Sequence, residues 1–198
     1  MPEGQVIPVE QIEAASPYEL RIDGATHVPE PDVRAALASG DMGFLHSYTT
    51  GSTVDGPGVR VVAWTTGCMW RCQYCHNPDT WTMTNGLPVS VLKAAEELGK
   101  YRHGLKMMSG GFTLSGGEPL MQNRFAAKLL AAAKKMGIHT AVETNGFFSD
   151  RLADAELDTI DLVMLGIRQP VAEETVGFDR RVNEIGRASC RERVSLNV

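Results

Sequence analysis

The sequence predicts an α/β fold built on a parallel sheet. From Leu45 onward, short β-rich runs alternate with helical segments, which is the pattern of strand–helix–strand units. In addition, the candidate functional motifs of the chain each come directly after a predicted strand. Parallel α/β barrels place their functional residues just beyond the carboxyl ends of the strands. We therefore expect these motifs to meet at one edge of the sheet.

Four runs of β-branched and other apolar residues predict the strands. They span residues 59–66, 112–115, 138–142 and 162–165. The motifs that follow them begin at Gly67, Gly116, Glu143 and Gly166.

Apolar residues at helical spacing predict the helices between these strands. Residues 89–102 form the first helix, which is opened by Ser90. Residues 122–136 form the second helix, which stops at Gly137, a residue type common just after a helix end. A short helix is predicted near 149–157.

Composition is that of an ordinary globular protein, since 43% of the 198 residues are hydrophobic and 22% are charged. No apolar run approaches the roughly 20 residues that a membrane-spanning helix needs, and the first residues lack the pattern of a signal peptide. We therefore expect a cytoplasmic protein. The net charge of -5 argues against nucleic acid as a partner.

Three of the four cysteines are clustered, with the spacing Cys-x3-Cys-x2-Cys at Cys68, Cys72 and Cys75. Three thiolates this close predict a [4Fe–4S] cluster that leaves one iron open. A structural zinc site wants four ligands, usually in two separated pairs. His76 is the one further ligand type nearby, and its adjacency to Cys75 makes joint ligation of one metal awkward. A zinc knuckle or an incidental disulfide is the alternative.

Further motifs lie before, within and after the cysteines. They are residues 53–60 (Thr-Val-Asp-Gly-Pro-Gly-Val-Arg), 74–81 (Tyr-Cys-His-Asn-Pro-Asp-Thr-Trp) and 115–119 (Ser-Gly-Gly-Glu-Pro). Together with the cysteines they resemble the radical S-adenosylmethionine (SAM) superfamily and, within it, the family of pyruvate formate-lyase activating enzymes. The resemblance extends from about Leu45 to about Ile167. It implies a partial, open (β/α)6 radical-SAM barrel, of which this chain supplies about four strand–helix units.

The resemblance also implies the chemistry. Cys68, Cys72 and Cys75 would bind three irons of a [4Fe–4S] cluster, and the fourth iron would chelate the amino and carboxylate groups of SAM. The reduced cluster would cleave SAM to methionine and a 5′-deoxyadenosyl radical, which abstracts hydrogen from a glycine of a partner protein. The implied partner is pyruvate formate-lyase, and the implied reductant is a flavodoxin or a ferredoxin.

Gly116, Gly117 and Glu118 are the candidates for binding the methionine end of SAM. Without a Cβ, the two glycines let the backbone approach the ligand closely, and Glu118 can accept a charge-assisted hydrogen bond from the SAM ammonium. In isolation, the same three residues would be interpreted as a tight strand-to-helix turn with a solvated Glu.

Tyr74 lies between two cluster ligands, so its backbone is a candidate contact for adenine. An ordinary core or lid aromatic is the alternative for its side chain. Asp55 and His76 match family positions near the substrate glycine loop. By themselves, they would be interpreted as a turn residue and a surface histidine.

Two strand ends depart from the family pattern. Glu143 stands where the family commonly has Asp, and Gly166 stands where it has an acid. Those family carboxylates help to hold a monovalent cation beside SAM, so Gly166 puts that cation site in question. Arg168 replaces a Lys that pairs with the SAM carboxylate, and it can do so as a bidentate partner.

We divide the chain into three parts. Residues 1–44 are interpreted as an N-terminal extension, in which 31–39 are expected to form one or two helical turns, and residues 45–183 as a truncated radical SAM core. Residues 184–198 are interpreted as an artefactual tail, because most of them match the translation of a common sequencing adapter; a genuine charged terminal helix is the alternative. Cys190 is then outside the site, and the fourth strand is expected to lack a partner.

The predicted function is that of an oxidoreductase, a radical SAM activase that generates a glycyl radical on pyruvate formate-lyase. An activase of another glycyl-radical enzyme, such as anaerobic ribonucleotide reductase, is the alternative. Many other activases have an inserted ferredoxin-like cysteine cluster, and residues 76–117 contain no Cys, which favours the formate-lyase type. A non-catalytic metal-binding module is the alternative from a different class.

Overall fold

The computed structural model describes residues 19–20, 30–72, 75–166 and 194–197, with only the backbone described for 19–20, 30–32 and 194–197. Two predicted site residues, Tyr74 and Arg168, lie outside the described residues, as does most of the predicted tail.

One mostly parallel sheet organises the chain. Its strands are β1 (Glu19–Leu20), β2 (Met42–Ser52), β3 (Arg60–Thr65), β4 (Leu87–Ser90), β5 (Gly111–Gly116), β6 (His139–Thr144), β7 (Leu162–Gly166) and β8 (Val194–Asn197). The order is β1-β2-β3-β5-β6-β7-β8, and β4 pairs with β2. All pairings from β3 to β8 are parallel, whereas β2 is antiparallel to β1, β3 and β4. The predicted α/β class with a parallel sheet is confirmed.

The helices are α1 (Glu30–Ser39), α2 (Val91–Gly99), α3 (Arg102–Met107), α4 (Asn123–Lys135) and α5 (Asp154–Leu157). Short 3-10 turns lie at Pro78–Trp81, Met83–Asn85, Pro119–Gln122 and Ser149–Arg151. No described helix is long and apolar enough to cross a membrane.

The single helix expected over 89–102 is wrong in its bounds. Its first residues belong to β4, in which Val89 pairs with Gly43 of β2. Ser90 ends that strand and caps α2, because its hydroxyl accepts a hydrogen bond from the backbone N–H of Lys93 at 3.1 Å. The remaining residues divide between α2 and α3.

Strand alternation gives the sheet two different faces. One face is apolar and packs against α2 and α4, with Phe112 and Leu114 of β5 buried beside Leu98 and Leu129. The other face contains the residues between them, including the buried Thr113. Since β3 pairs in parallel with β5, the two strands share this division along their whole length. The second face is therefore the one that can hold polar chemistry.

The fourth predicted strand, β7, is not an edge of the sheet in this structure. Val163 lies opposite Val194 and Gly166 lies opposite Asn197, so residues 194–197 extend the sheet in parallel. The expectation that this strand lacks a partner is therefore wrong, because backbone groups of the predicted tail occupy its free side. At the other end of the predicted core, β2 runs across the expected boundary at residue 45.

Candidate functional site

A cavity of about 200 Å³ lies at the carboxyl ends of the parallel strands. All nine predicted site residues that the structure describes line it: Asp55, Cys68, Cys72, Cys75, His76, Gly116, Gly117, Glu118 and Glu143. Gly166 lines it as well. The expectation that the strand-end motifs meet in space is thus met for the described residues, while the role of each residue stays a prediction.

The cysteines lie on a loop that leaves β3 and is closed by main-chain hydrogen bonds. The N–H of Gly67 donates to the carbonyl of Thr80 at 2.8 Å, and the N–H of Cys68 donates to that of Trp81 at 3.0 Å. A further bond of 3.2 Å runs from the Cys75 N–H to the Cys72 carbonyl. This pairing holds the start of the cysteine loop against the 3-10 turn that follows it.

Arg71 adds a side-chain clamp to the same loop. One guanidinium nitrogen, Nη1, donates to the carbonyls of Cys68 at 2.6 Å and Trp70 at 2.8 Å. The guanidinium also lies over the ring of Trp81, 5.0 Å from its centroid. A cation over an aromatic face is attracted by the electrons of the ring, so Arg71 fastens the turn between the first two cysteines to the segment beyond the third.

The three thiols match the donor set predicted for a [4Fe–4S] cluster with one open iron. None of them forms a disulfide. Burial raises the pKa of Cys68, and the charges of Glu118, Cys72 and Cys75 act in the same direction. A hydrogen bond from the Trp70 backbone lowers the pKa and so opposes them. Among the described residues, no group of three or more His, Cys, Asp or Glu side chains is placed to hold a single metal ion. Cluster ligands each bind a separate iron, so a cluster does not require that placement.

The two glycines of the Gly-Gly-Glu motif are required by the close approach of two backbones. A Cβ on Gly116, whose φ is +117°, would overlap the carbonyl oxygen of Thr65, and one on Gly117 would overlap that of Gly67. The N–H of Gly117 donates to the Thr65 carbonyl at 2.9 Å. The end of β5 therefore lies directly against the end of β3, where the cysteine loop starts.

Glu118 is buried, with 1% of its surface exposed. Its Oε1 accepts hydrogen bonds from the Leu120 N–H at 3.0 Å and the Thr144 hydroxyl at 2.6 Å, and its Oε2 accepts one from the Asn145 N–H at 2.8 Å. Burial raises the pKa of Glu118, these three bonds oppose the rise, and the charge of Glu143 adds to it. The side chain thus joins the ends of β5 and β6 and also lines the cavity.

Glu143 and Asp55 approach the cavity from different elements. Glu143 accepts a hydrogen bond from the Ser115 hydroxyl at 2.7 Å, which places both side chains on the polar face of the sheet. Asp55 belongs to the loop between β2 and β3 and accepts a hydrogen bond from the hydroxyl of Ser52. Together with Glu118, they give the cavity three carboxyl groups.

Sequence reasoning missed the aromatic part of the lining, which consists of Trp64, Trp70 and Trp81. Strand alternation contains a signal for the first of them, because Trp64 lies opposite Ser115 in the register and so shares the polar face. Its indole N–H donates to the Thr49 hydroxyl at 2.8 Å. Trp70 meets the ring of Phe147 edge-on, with 6.4 Å between centroids, and no local pattern predicts that contact.

A family model described as "4Fe-4S single cluster domain" matches residues 54–175. The chain belongs to this family. The predicted cluster therefore agrees with the cofactor for which the family is described, and the structural zinc site does not.

Curated relatives of this chain include activating enzymes of pyruvate formate-lyase. The pyruvate formate-lyase 1-activating enzyme of Escherichia coli (strain K12) is 44% identical over 130 residues, which cover 65% of this chain and 53% of that protein. The pyruvate formate-lyase-activating enzyme of Listeria monocytogenes (serovar 1/2a) is 38% identical over 149 residues, 72% of this chain and 60% of that protein. The predicted resemblance is confirmed. The chain spans between half and two thirds of the length of these relatives.

Among solved structures, QueE from Escherichia coli is similar to this chain with a TM-score of 0.48 and 13% sequence identity. The match covers 80% of this chain and 82% of QueE.

Proposed function

We propose that this chain forms the cluster-binding part of a radical SAM activase that generates a glycyl radical on pyruvate formate-lyase. The single observation that supports this most is that the three cysteines and the Gly-Gly-Glu motif line one cavity, although more than 40 residues separate Cys68 from Gly116 in the chain. The names of the curated relatives support the same activity. Because the chain spans only part of their length, its activity, substrate and partner are our proposal.

Cys68, Cys72 and Cys75 would hold the [4Fe–4S] cluster. When bound, the reduced cluster supplies the electron that cleaves SAM. The contribution of the chain itself is to fix the three thiols, through the main-chain pairing of Gly67 with Thr80 and the clamp of Arg71. The tryptophans that line the cavity add apolar surface beside the cysteines.

The carboxyl groups of the cavity fit a cationic ligand. SAM has a positive sulfonium and an ammonium group, and Glu118 and Glu143 place negative charge beside the cysteines. Glu118 already accepts three hydrogen bonds from the protein. A carboxylate has about four acceptor positions, so Glu118 retains room for one ligand donor. Asp55 and His76 remain our candidates for contacts with the substrate glycine loop.

The topology supports a part of an open (β/α)6 radical-SAM barrel. The strands β3, β5, β6 and β7 are parallel and follow one another in the sheet, and α4 connects β5 to β6. We propose a flavodoxin or a ferredoxin as the electron donor, because cluster reduction takes one electron at a time. We propose the cytoplasm as the location, because it keeps thiols reduced.

The proposal is tested with the anaerobically reconstituted, reduced full-length protein, because this chain spans only part of the length of its relatives. Its incubation with SAM should yield 5′-deoxyadenosine and methionine, and its incubation with SAM and pyruvate formate-lyase should yield the paramagnetic resonance signal of a glycyl radical. An anaerobic ribonucleotide reductase serves as the comparison substrate. A radical on the reductase alone would reassign the partner, and cluster binding without any SAM cleavage would leave a non-catalytic metal-binding module.

A further inference from the structure

We infer that Arg60 and Thr113 are positioning residues that hold the Asp55 loop, residues 53–59 between β2 and β3, so that Asp55 faces the cavity. The inference rests on the proposed function in one respect, namely that Asp55 acts on the substrate side of the cavity. Neither Arg60 nor Thr113 lines the cavity itself. Both would therefore act through Asp55.

Arg60 is a fully buried cation at the start of β3, with 0% of its surface exposed. Its Nη2 donates to the carbonyl of Phe112 at 2.6 Å, and its Nε donates to the hydroxyl of Thr113 at 2.9 Å. Its Nη1 lies 3.1 Å from His139 Nδ1 and 3.4 Å from the carbonyl of Pro57, in the Asp55 loop. Within the described part of the chain, Arg60 forms no ion pair with a carboxylate. Burying a charge is costly unless it is well hydrogen-bonded. Burial lowers the pKa of Arg60 to about 10, and the charges of Asp161 and Asp55 oppose that change.

Thr113 transmits the position of Arg60 to the loop. Its hydroxyl accepts from Arg60 Nε and donates to the carbonyl of Asp55 at 2.6 Å. Arginine nitrogens only donate, and a hydroxyl has one hydrogen. The Thr113 hydrogen is therefore committed to the Asp55 carbonyl for as long as Arg60 is in place.

Two glycines make room for the guanidinium. A Cβ on Gly56, in the loop, would lie 3.2 Å from Arg60 Nε, and a Cβ on Gly111, at the start of β5, would overlap Arg60 Nη1. The φ of Gly56 is +123°, a backbone conformation that other residues rarely adopt. The loop can thus fold directly onto Arg60, which donates to the Pro57 carbonyl. Thr113 donates to the Asp55 carbonyl, and Ser52 donates to the Asp55 side chain.

Thr113 is the position at which this inference is tested, because substituting Arg60 would leave several buried acceptors unpaired and would test folding as well. Thr113→Val keeps the shape of the side chain and removes the hydroxyl. Thr113→Ser keeps the hydroxyl and is the matched control. In the cluster-free protein, we expect amide hydrogen exchange in residues 53–59 to become about fivefold to tenfold faster in Thr113→Val, and to stay near the wild-type rate in Thr113→Ser.

The reconstituted full-length protein provides the functional readout. In Thr113→Val, we expect kcat/KM for pyruvate formate-lyase to fall about fivefold or more. The Kd for SAM and the cleavage of SAM without the partner should stay within twofold of wild type. In Thr113→Ser, kcat/KM should return to near the wild-type value. Equal exchange in all three proteins would overturn the inference, as would an equal loss of activity in both variants. A third outcome separates the two proposals. If exchange is faster in Thr113→Val but the wild-type protein forms no glycyl radical, the anchoring of the loop is upheld and the proposed function is refuted.

Discussion

Thr144 donates a hydrogen bond from its hydroxyl to Glu118 Oε1 at 2.6 Å, and this bond joins the ends of β5 and β6 beside the cavity. The neighbouring N–H of Asn145 donates to the other carboxylate oxygen, Oε2. Two predicted site motifs are thus fastened to each other through one buried side chain. Glu118 consequently has a structural role that can be measured separately from any contact with SAM.

Replacing Glu118 by Gln should weaken both the fold and SAM binding. The amide turns one acceptor into a donor that faces the donors around it, and a buried group left unpaired costs about 1–3 kcal/mol. We expect the free energy of unfolding of the cluster-free protein to fall by about that amount. The loss of a charged acceptor should also weaken SAM binding by about tenfold or more.

Denaturant unfolding and titration of SAM against the reduced cluster measure the two effects. For the unfolding measurement, Glu143→Gln is the control, because the side chain of Glu143 accepts a hydrogen bond from Ser115 at the surface of the cavity and is less enclosed than Glu118. Unchanged unfolding of Glu118→Gln with a large loss of SAM affinity would reassign Glu118 to ligand binding alone, and unchanged SAM affinity would reassign it to the turn.

Replacing Arg71 by Met should make the cluster easier to lose without removing a ligand. The substitution deletes the hydrogen bonds to Cys68 and Trp70 and the stacking on Trp81. We expect iron to pass to a chelator several times faster than from wild type, with full initial loading. Arg71→Lys should be intermediate, because Lys keeps the charge but lacks the planar fork. Identical release rates in all three proteins would show that the clamp does not hold the loop.

His139 should make the fold sensitive to pH in the weakly acidic range. Burial, reinforced by the charge of Arg60, lowers the pKa of His139 below 6.5, with Lys134 acting in the same direction and Asp161 in the opposite one. The unfolded chain therefore takes up a proton at His139 before the folded one does, and the free energy of unfolding falls as pH drops below about 6.5. Above that pH, the contribution of His139 is constant.

The measurement is denaturant unfolding at pH 7.5 and pH 5.5 for wild type and His139→Gln. Wild type should lose more stability between the two values. Asp161 does not titrate in this window. Burial raises its pKa, but hydrogen bonds from Lys134 and Thr140 outweigh burial and lower the pKa of Asp161 below 3.8. The stability that ionised Asp161 contributes is therefore lost only in stronger acid. Equal losses in the two proteins would contradict the role of His139.

The central strands and the location of the cavity were predictable from the sequence, whereas β2 was not. Strands such as β5 are short apolar runs followed by glycine, and the strand-end rule then places their motifs together. In β2 the pairing with β3 shifts register between Leu45 and Ser47 and again between Thr50 and Ser52. Such irregularities break the period of two that marks a strand.

Long-range side-chain contacts were also beyond prediction. Gln122 accepts from the N–H of Phe44 at 2.7 Å and donates to the carbonyls of Phe44 and Thr66, each at 2.9 Å. It thereby pairs with the backbone of β2 and with the residue that follows β3. Its partners are 78 and 56 residues away in the chain, so nothing in the neighbouring sequence indicates the contact.

The central claim is that Cys68, Cys72 and Cys75 together hold one [4Fe–4S] cluster that cleaves SAM. The most direct measurement is the iron and sulfide content of the anaerobically reconstituted protein, combined with its paramagnetic resonance after reduction with and without SAM. Wild type and Cys190→Ala should both show a full cluster whose signal changes when SAM is added, whereas Cys72→Ala should lose the stable cluster and all SAM cleavage. Full loading and turnover in Cys72→Ala would contradict the account.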